Sequence, residues 1–165
     1  MPSLSRLPSR SSWAGLLLTL AGLAAPRRAS AQAIAVVVNP AVPVTDLSVA
    51  DLNNLFTFTK RSWPGGGRVT LYLPPPTSPA RAALLKGVYH MDDAQLKRFL
   101  LEKVYQGDID VAPKVGASDE DVVALVAGAP GGISLVPASK VSGDKVKLLK
   151  VGGKAPADPG YPLKP

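Results

Sequence analysis

Residues 66–86, GGRVTLYLPPPTSPARAALLK, decide how this chain folds. Residues 69–73 (VTLYL) are an apolar, β-branched and aromatic run of strand type, closed by the prolines 74–76. Ser78 stands where a helix N-cap belongs, Pro79 at the first helical position and Arg81 inside the first turn. A serine in that place can accept from the free N–H groups of the first turn. Proline there is pre-set for helix and lacks only an N–H that would go unpaired. A strand leading directly into a capped helix is the building unit of an α/β layer. The start of such a helix is also where backbone N–H groups and the helix dipole favour an anion. Thr77, Ser78 and Arg81 are therefore candidate ligand contacts.

The flanking sequence repeats the alternation. Residues 33–38 (AIAVVV) form a continuous apolar run that reads as a buried strand, ended by Asn39-Pro40. Ser48 followed by Asp51 is a capping-box pattern, and Val49, Leu52, Leu55 and Phe56 then share one helical face. Helices are expected over 79–89 and 92–105, the second with Leu96, Phe99, Leu100 and Val104 as its apolar stripe. Ser118 and Asp121 cap a further helix, which Gly128 and Pro130 stop. Residues 132–136 (GISLV) read as a buried strand, and 145–151 (KVKLLKV) as an edge strand guarded by lysines. The expectation is an α/β domain, a mostly parallel sheet flanked by helices. In such sheets ligands sit at the C-terminal strand ends, which places Asn39 and the 74–78 turn near one rim.

The first 31 residues are expected to lie outside this domain. Arg6 and Arg10 precede a 13-residue apolar run over 13–25, and Ala29-Ser30-Ala31 is an A-x-A cleavage pattern. That is the pattern of a secretory signal peptide. The run is shorter than the ~20 apolar residues a membrane-spanning helix needs, so no stable membrane insertion is expected after cleavage. Removal of 31 of the 165 residues leaves 134, enough for one domain over 32–151 and a Gly/Pro-rich tail over 152–165, read as flexible. Four of the 19 basic residues lie in the leader, leaving 15 against 12 acidic ones, a net charge near +3. No basic block interleaved with aromatics points to nucleic acid. There is no cysteine, so neither a disulfide framework nor lipid attachment at the cleavage site is expected. One histidine and no cysteine argue against a zinc site.

With these residues in hand, the chain resembles the substrate-binding proteins of phosphate ABC transporters, which have the type 2 periplasmic-binding fold. The resemblance runs in order over residues 34–141. VVVNPAVPVTDLSVADLNNLF resembles the family's strand and following helix, and KRSWPGGGRVTLYL its tryptophan, glycine and strand. PTSPAR resembles its serine-glycine-threonine-arginine turn, and GAPGGISLVPASKV its late glycine-rich strand. Full-length members have two lobes with ligand between them, so the resemblance implies a single lobe here, exported to the periplasm. It also implies a small anion such as phosphate as ligand. The family's phosphate-turn serine falls on Ser78 and the following arginine on Arg81. Its glycine falls on Pro79, its threonine on Ala80 and its phosphate-contacting arginine on Pro74. Pro79 offers no N–H, Ala80 no hydroxyl and Pro74 no guanidinium.

Other residues carry plainer readings. Trp63 is expected as a packing anchor of its loop, and His90, with no Ser or Cys partner in a motif, as a surface or capping residue. Asp108 and Asp110 lie in GDID, which lacks the further oxygen ligands of a calcium loop. No pattern names a nucleophile, a base, a metal or a cofactor. The functional expectation is an exported, non-enzymatic domain that binds a small oxyanion at Thr77, Ser78, Arg81 and Asn39 for an ABC-type uptake system. An ABC permease or a second copy would be its partner. The alternative is a periplasmic interaction module that kept the fold and lost the ligand site.

Overall fold

A computed structural model describes residues 32–163; the leader expected over 1–31 lies outside them. Its centre is strand β1 (Ile34–Val38), in which all five residues are buried. Successive strand side chains point to opposite faces, and β1 supplies both. Ile34, Val36 and Val38 pack with the larger core cluster, and Val37 with the smaller one. The other strands are β2 (Asp46–Leu47), β3 (Thr70–Leu73), β4 (Lys114–Val115), β5 (Gly132–Pro137) and β6 (Lys147–Val151). They form one sheet in the order β2-β6-β1-β5-β3-β4.

Three of the five strand pairings are parallel: β2 with β6, β3 with β4 and β3 with β5. The sheet is thus mostly parallel, but β1 runs antiparallel to both its neighbours, β5 and β6. The helices are α1 (Val49–Phe56), α2 (Pro79–Leu84), α3 (Asp93–Tyr105) and α4 (Asp119–Gly128). One face of the sheet packs Leu52, Leu55 and Phe56 of α1, Ala80, Ala83 and Leu84 of α2, and Leu96 and Leu100 of α3. The other packs Val122, Val123 and Val126 of α4 against Val37 and Val136. The chain leaves β3 through α2 and α3 to reach the edge strand β4, then returns through α4 on the opposite face to β5. Two crossovers in opposite directions on opposite faces share one hand, as parallel connections require.

The capping residues foreseen in the sequence do cap. Ser48 and Ser118 accept from the N–H groups of Asp51 and Asp121 at 3.0 and 3.1 Å. Asp92 and Gln95 add a reciprocal capping box at α3. The helix expected over 79–89 is α-helical only to Leu84 and continues as a π-helical turn, Leu85–Tyr89. His90 ends it in the left-handed conformation, φ 53°, which is the capping role expected of it. The Tyr89 hydroxyl on that turn donates to the Phe56 carbonyl at 2.8 Å, tying it to α1.

The tail expected to be flexible is instead folded back. Tyr161 and Leu163 are each 3 % exposed and belong to the larger core cluster. Gly152 donates to the Leu47 carbonyl, Gly153 to the Asp46 carboxylate, and the N–H of Ala155 to the Asp158 carboxylate. Two apolar side chains reaching the core outweigh the freedom of a Gly/Pro-rich segment.

Candidate functional site

The turn after β3 is built largely from its own hydrogen bonds. Pro74 and Pro75 are buried, and Pro76 and Thr77 exposed. The Ser78 N–H donates to the Pro75 carbonyl at 3.0 Å, and its Oγ accepts from the Ala80 N–H at 3.1 Å. Ser78 is 6 % exposed and caps α2 as the sequence predicts. Arg81, 8 % exposed, donates through Nε to Asp93 Oδ1 at 2.8 Å, and its Nη2 lies 2.7 Å from the same oxygen. Its Nη1 donates to the Pro74 carbonyl at 3.5 Å. One guanidinium thus joins the end of β3, the first turn of α2 and the first turn of α3. Of the expected ligand residues, Thr77 is the one left exposed.

The same rim carries carboxylates. The Gly116 N–H donates to the Leu73 carbonyl, which sets residues 116–118 and the start of α4 beside the end of β3. Asp119, Glu120 and Asp121 fill the first turn of α4. Their charges suit the positive end of that helix and oppose an incoming anion. Glu120 pairs at 2.8 Å with Lys140, from the segment after β5. The Lys140 hydrogen bond holds the Glu120 carboxyl below its usual range, and Glu120 in turn raises the Lys140 ammonium.

Asn39 lies at the opposite rim, contrary to the sequence expectation. Val38 and Leu71 both stand opposite Ile133, one on each side of β5. Asn39 is therefore level with the start of β3, roughly 13 Å along the strands from the turn after Leu73. The expectation assumed that β1 runs parallel to β3, and it does not. The Asn39 amide is also committed: Nδ2 donates to the Val126 and Ala127 carbonyls at 3.1 and 2.7 Å, and Oδ1 accepts from the Ala41 N–H. It closes the C-terminal end of α4, where carbonyls lack intrahelical partners.

Trp63 is buried, and its indole N–H donates to the Gly131 carbonyl at 3.2 Å, the packing role expected of it. Asp108 and Asp110 are held by Lys103, Arg61 and Arg68. The Lys103 hydrogen bond keeps the Asp108 carboxyl below its usual range, with further help from the charge of Arg61. Among the described residues, no three or more His, Asp or Glu side chains gather into a metal-holding group, and no helix is long and apolar enough to cross a membrane. A cleft of about 410 Å³ opens beside β3, and a second space of about 440 Å³ lies between residues 41–43 and 130–131. Neither is lined by Thr77, Ser78, Arg81 or Asn39. Sequence reading missed the first cleft because it joins segments 55–61, 68–72 and 109–114, each of which reads alone as strand, helix end or loop.

No protein-family model and no curated protein matches the chain. Solved structures do. A protein of Clostridium perfringens, described as a phosphate ABC transporter substrate-binding protein with bound phosphate, superposes with a TM-score of 0.57 at 21 % identity, over 73 % of this chain and 45 % of its own. An ABC-type phosphate transport receptor from Vibrio cholerae gives 0.60 at 17 % identity, over 76 % and 48 %. PstS from Borrelia burgdorferi gives 0.56 at 12 % identity, over 80 % and 54 %. The chain therefore has the fold of phosphate-transporter substrate-binding proteins and spans about half their length, an extent consistent with a single lobe.

Proposed function

We propose that this chain is an exported, non-catalytic interaction module that keeps the substrate-binding-protein fold, with its oxyanion turn converted to structural use. The observation that carries this reading is Arg81. Its guanidinium, the group best suited to grip a phosphate, is bound to Asp93 and to the Pro74 carbonyl within the lobe. The Ser78 hydroxyl is likewise used by α2, Pro79 has no N–H to give, and three carboxylates share the rim. The module works in the periplasm beside an ABC-type uptake system, and its partner is the permease or a second copy of the chain. Leu101 and Tyr105, one turn apart on α3, are 60 % and 93 % exposed, and Val111 beyond them is 78 % exposed. Exposed aromatic and aliphatic side chains of this kind anchor protein contacts.

The test is calorimetric titration with phosphate, sulfate and molybdate beside light scattering. The reading expects no heat of binding, and an association that Tyr105→Glu weakens. Phosphate binding by a strictly monomeric protein would overturn it. The exposure of Thr77 favours a second reading, in which this rim takes a small oxyanion directly. On that reading, Thr77→Ala abolishes anion binding and leaves the melting temperature unchanged.

A further inference from the structure

We infer that the cleft beside β3 is a binding site for a small organic anion with an apolar body. At about 410 Å³, it falls within the range of small-molecule sites, which is about 300–1,000 Å³. Leu55, Phe58, Leu71 and Ile109 supply its apolar wall. Leu71 and Ile109 are buried, so that wall is set by the core rather than by mobile surface side chains. Lys60, Arg61, Arg68 and Lys114 line the cleft against a single lining carboxylate, Asp110.

Three of these cations are paired, each with an acid whose side chain is open to water. Lys60 stands 2.5 Å from Asp51, with side chains 49 % and 37 % exposed. Arg68 pairs with Asp110 at 2.5 Å, but both side chains are mostly exposed, 70 % and 77 %. Arg61 and Asp108 stand 3.8 Å apart, with an Arg61 side chain 54 % exposed. Exposed pairs hold weakly, so a carboxylate arriving in the cleft replaces an internal partner at little cost. Lys114 makes no ion pair among the described residues. It opens β4, whose register covers only Tyr72 and Leu73 of β3. Thr70 and Leu71 therefore border the cleft with no strand residue opposite them on that side. An apolar wall in a cleft that is also lined by four cationic side chains fits a medium-chain carboxylate better than an inorganic oxyanion, which has nothing to bury. The site is independent of the turn at 77–81, so phosphate titration and the experiment below fail separately.

The experiment is calorimetric titration of the protein with octanoate, butyrate, octan-1-ol and octylamine. Saturable octanoate binding is expected. Butyrate binds at least about tenfold more weakly, because it buries four fewer methylenes. Octanol and octylamine are each weaker by about fivefold or more, having lost the charge interaction. Ala112→Trp, at an exposed lining position, fills the cleft and removes octanoate binding. Lys114→Glu, on the exposed two-residue strand, weakens it severalfold, and circular dichroism melting confirms that each variant is folded. Absence of saturable octanoate binding overturns the inference, as does octanol or octylamine binding as tightly as octanoate. If Ala112→Trp does not fold, Lys114→Glu decides: an unchanged octanoate affinity overturns the site.

Discussion

At the residue scale, two buried tyrosines make opposite predictions. The Tyr89 hydroxyl donates to the Phe56 carbonyl, and Tyr89→Phe leaves that buried acceptor unpaired, at about 1 kcal/mol. The Tyr161 hydroxyl faces the Val36 backbone without completing a hydrogen bond, so Tyr161→Phe leaves stability unchanged or slightly raised in urea unfolding. Burial pushes the Tyr161 phenol up to about 12 from 10.0. The folded state therefore favours the protonated phenol. Its contribution is complete below the unfolded value near 10 and is lost as pH rises through 12. Tyr161→Phe accordingly blunts the alkaline loss of stability, as read by melting temperature against pH. Ser78, Ser48 and Ser118 were legible as caps because capping is local, decided within three residues. The roles of Arg81 and Asn39 were not. Arg81 meets Asp93 twelve positions later, and Asn39 meets Val126 eighty-seven positions later, which no short-range pattern encodes.

At the element scale, the close approach of the segments entering β3 and β5 rests on Gly131. A Cβ there would lie 1.8 Å from the Arg68 carbonyl oxygen and 3.4 Å from the Trp63 indole nitrogen. Gly131→Ala must push backbone from backbone, costing about 1–3 kcal/mol in denaturant unfolding. The end of α3 is tied to its following loop by Lys103 and Asp108, 2.7 Å apart. Because the Asp108 carboxyl is held below 3.8, its contribution is present above that value and lost as pH falls through the lowered one. The stability gap between the wild type and Asp108→Asn should be open at pH 7 and close in strong acid. The longer elements were readable from local pattern: β3 as an apolar, β-branched and aromatic run closed by prolines, α1 from four apolar residues on one helical face. Strand direction was not, since the run 34–38 is buried on both faces whichever way its neighbours point. The two-residue strands β2 and β4 carry too little sequence to show a period.

At the scale of the whole molecule, residues 161–163 seal one side of the larger core, with Tyr161 and Leu163 buried. Leu163 touches the core beside Gly87, and Leu163→Ala should cost about 2–5 kcal/mol, seen as a lower midpoint in urea. The tail was misread because Tyr161 and Leu163 are isolated apolar residues in a Gly/Pro-rich stretch, where composition outweighs two anchors. The central proposal is that a chain with the fold of phosphate-transporter substrate-binding proteins uses the turn at 74–81 for its own structure and not for an anion. Calorimetric titration of the purified protein with phosphate tests it most directly. The account predicts no saturable heat from the wild type or from Thr77→Ala. Micromolar phosphate binding by the wild type, lost in Thr77→Ala with the melting temperature unchanged, would contradict it.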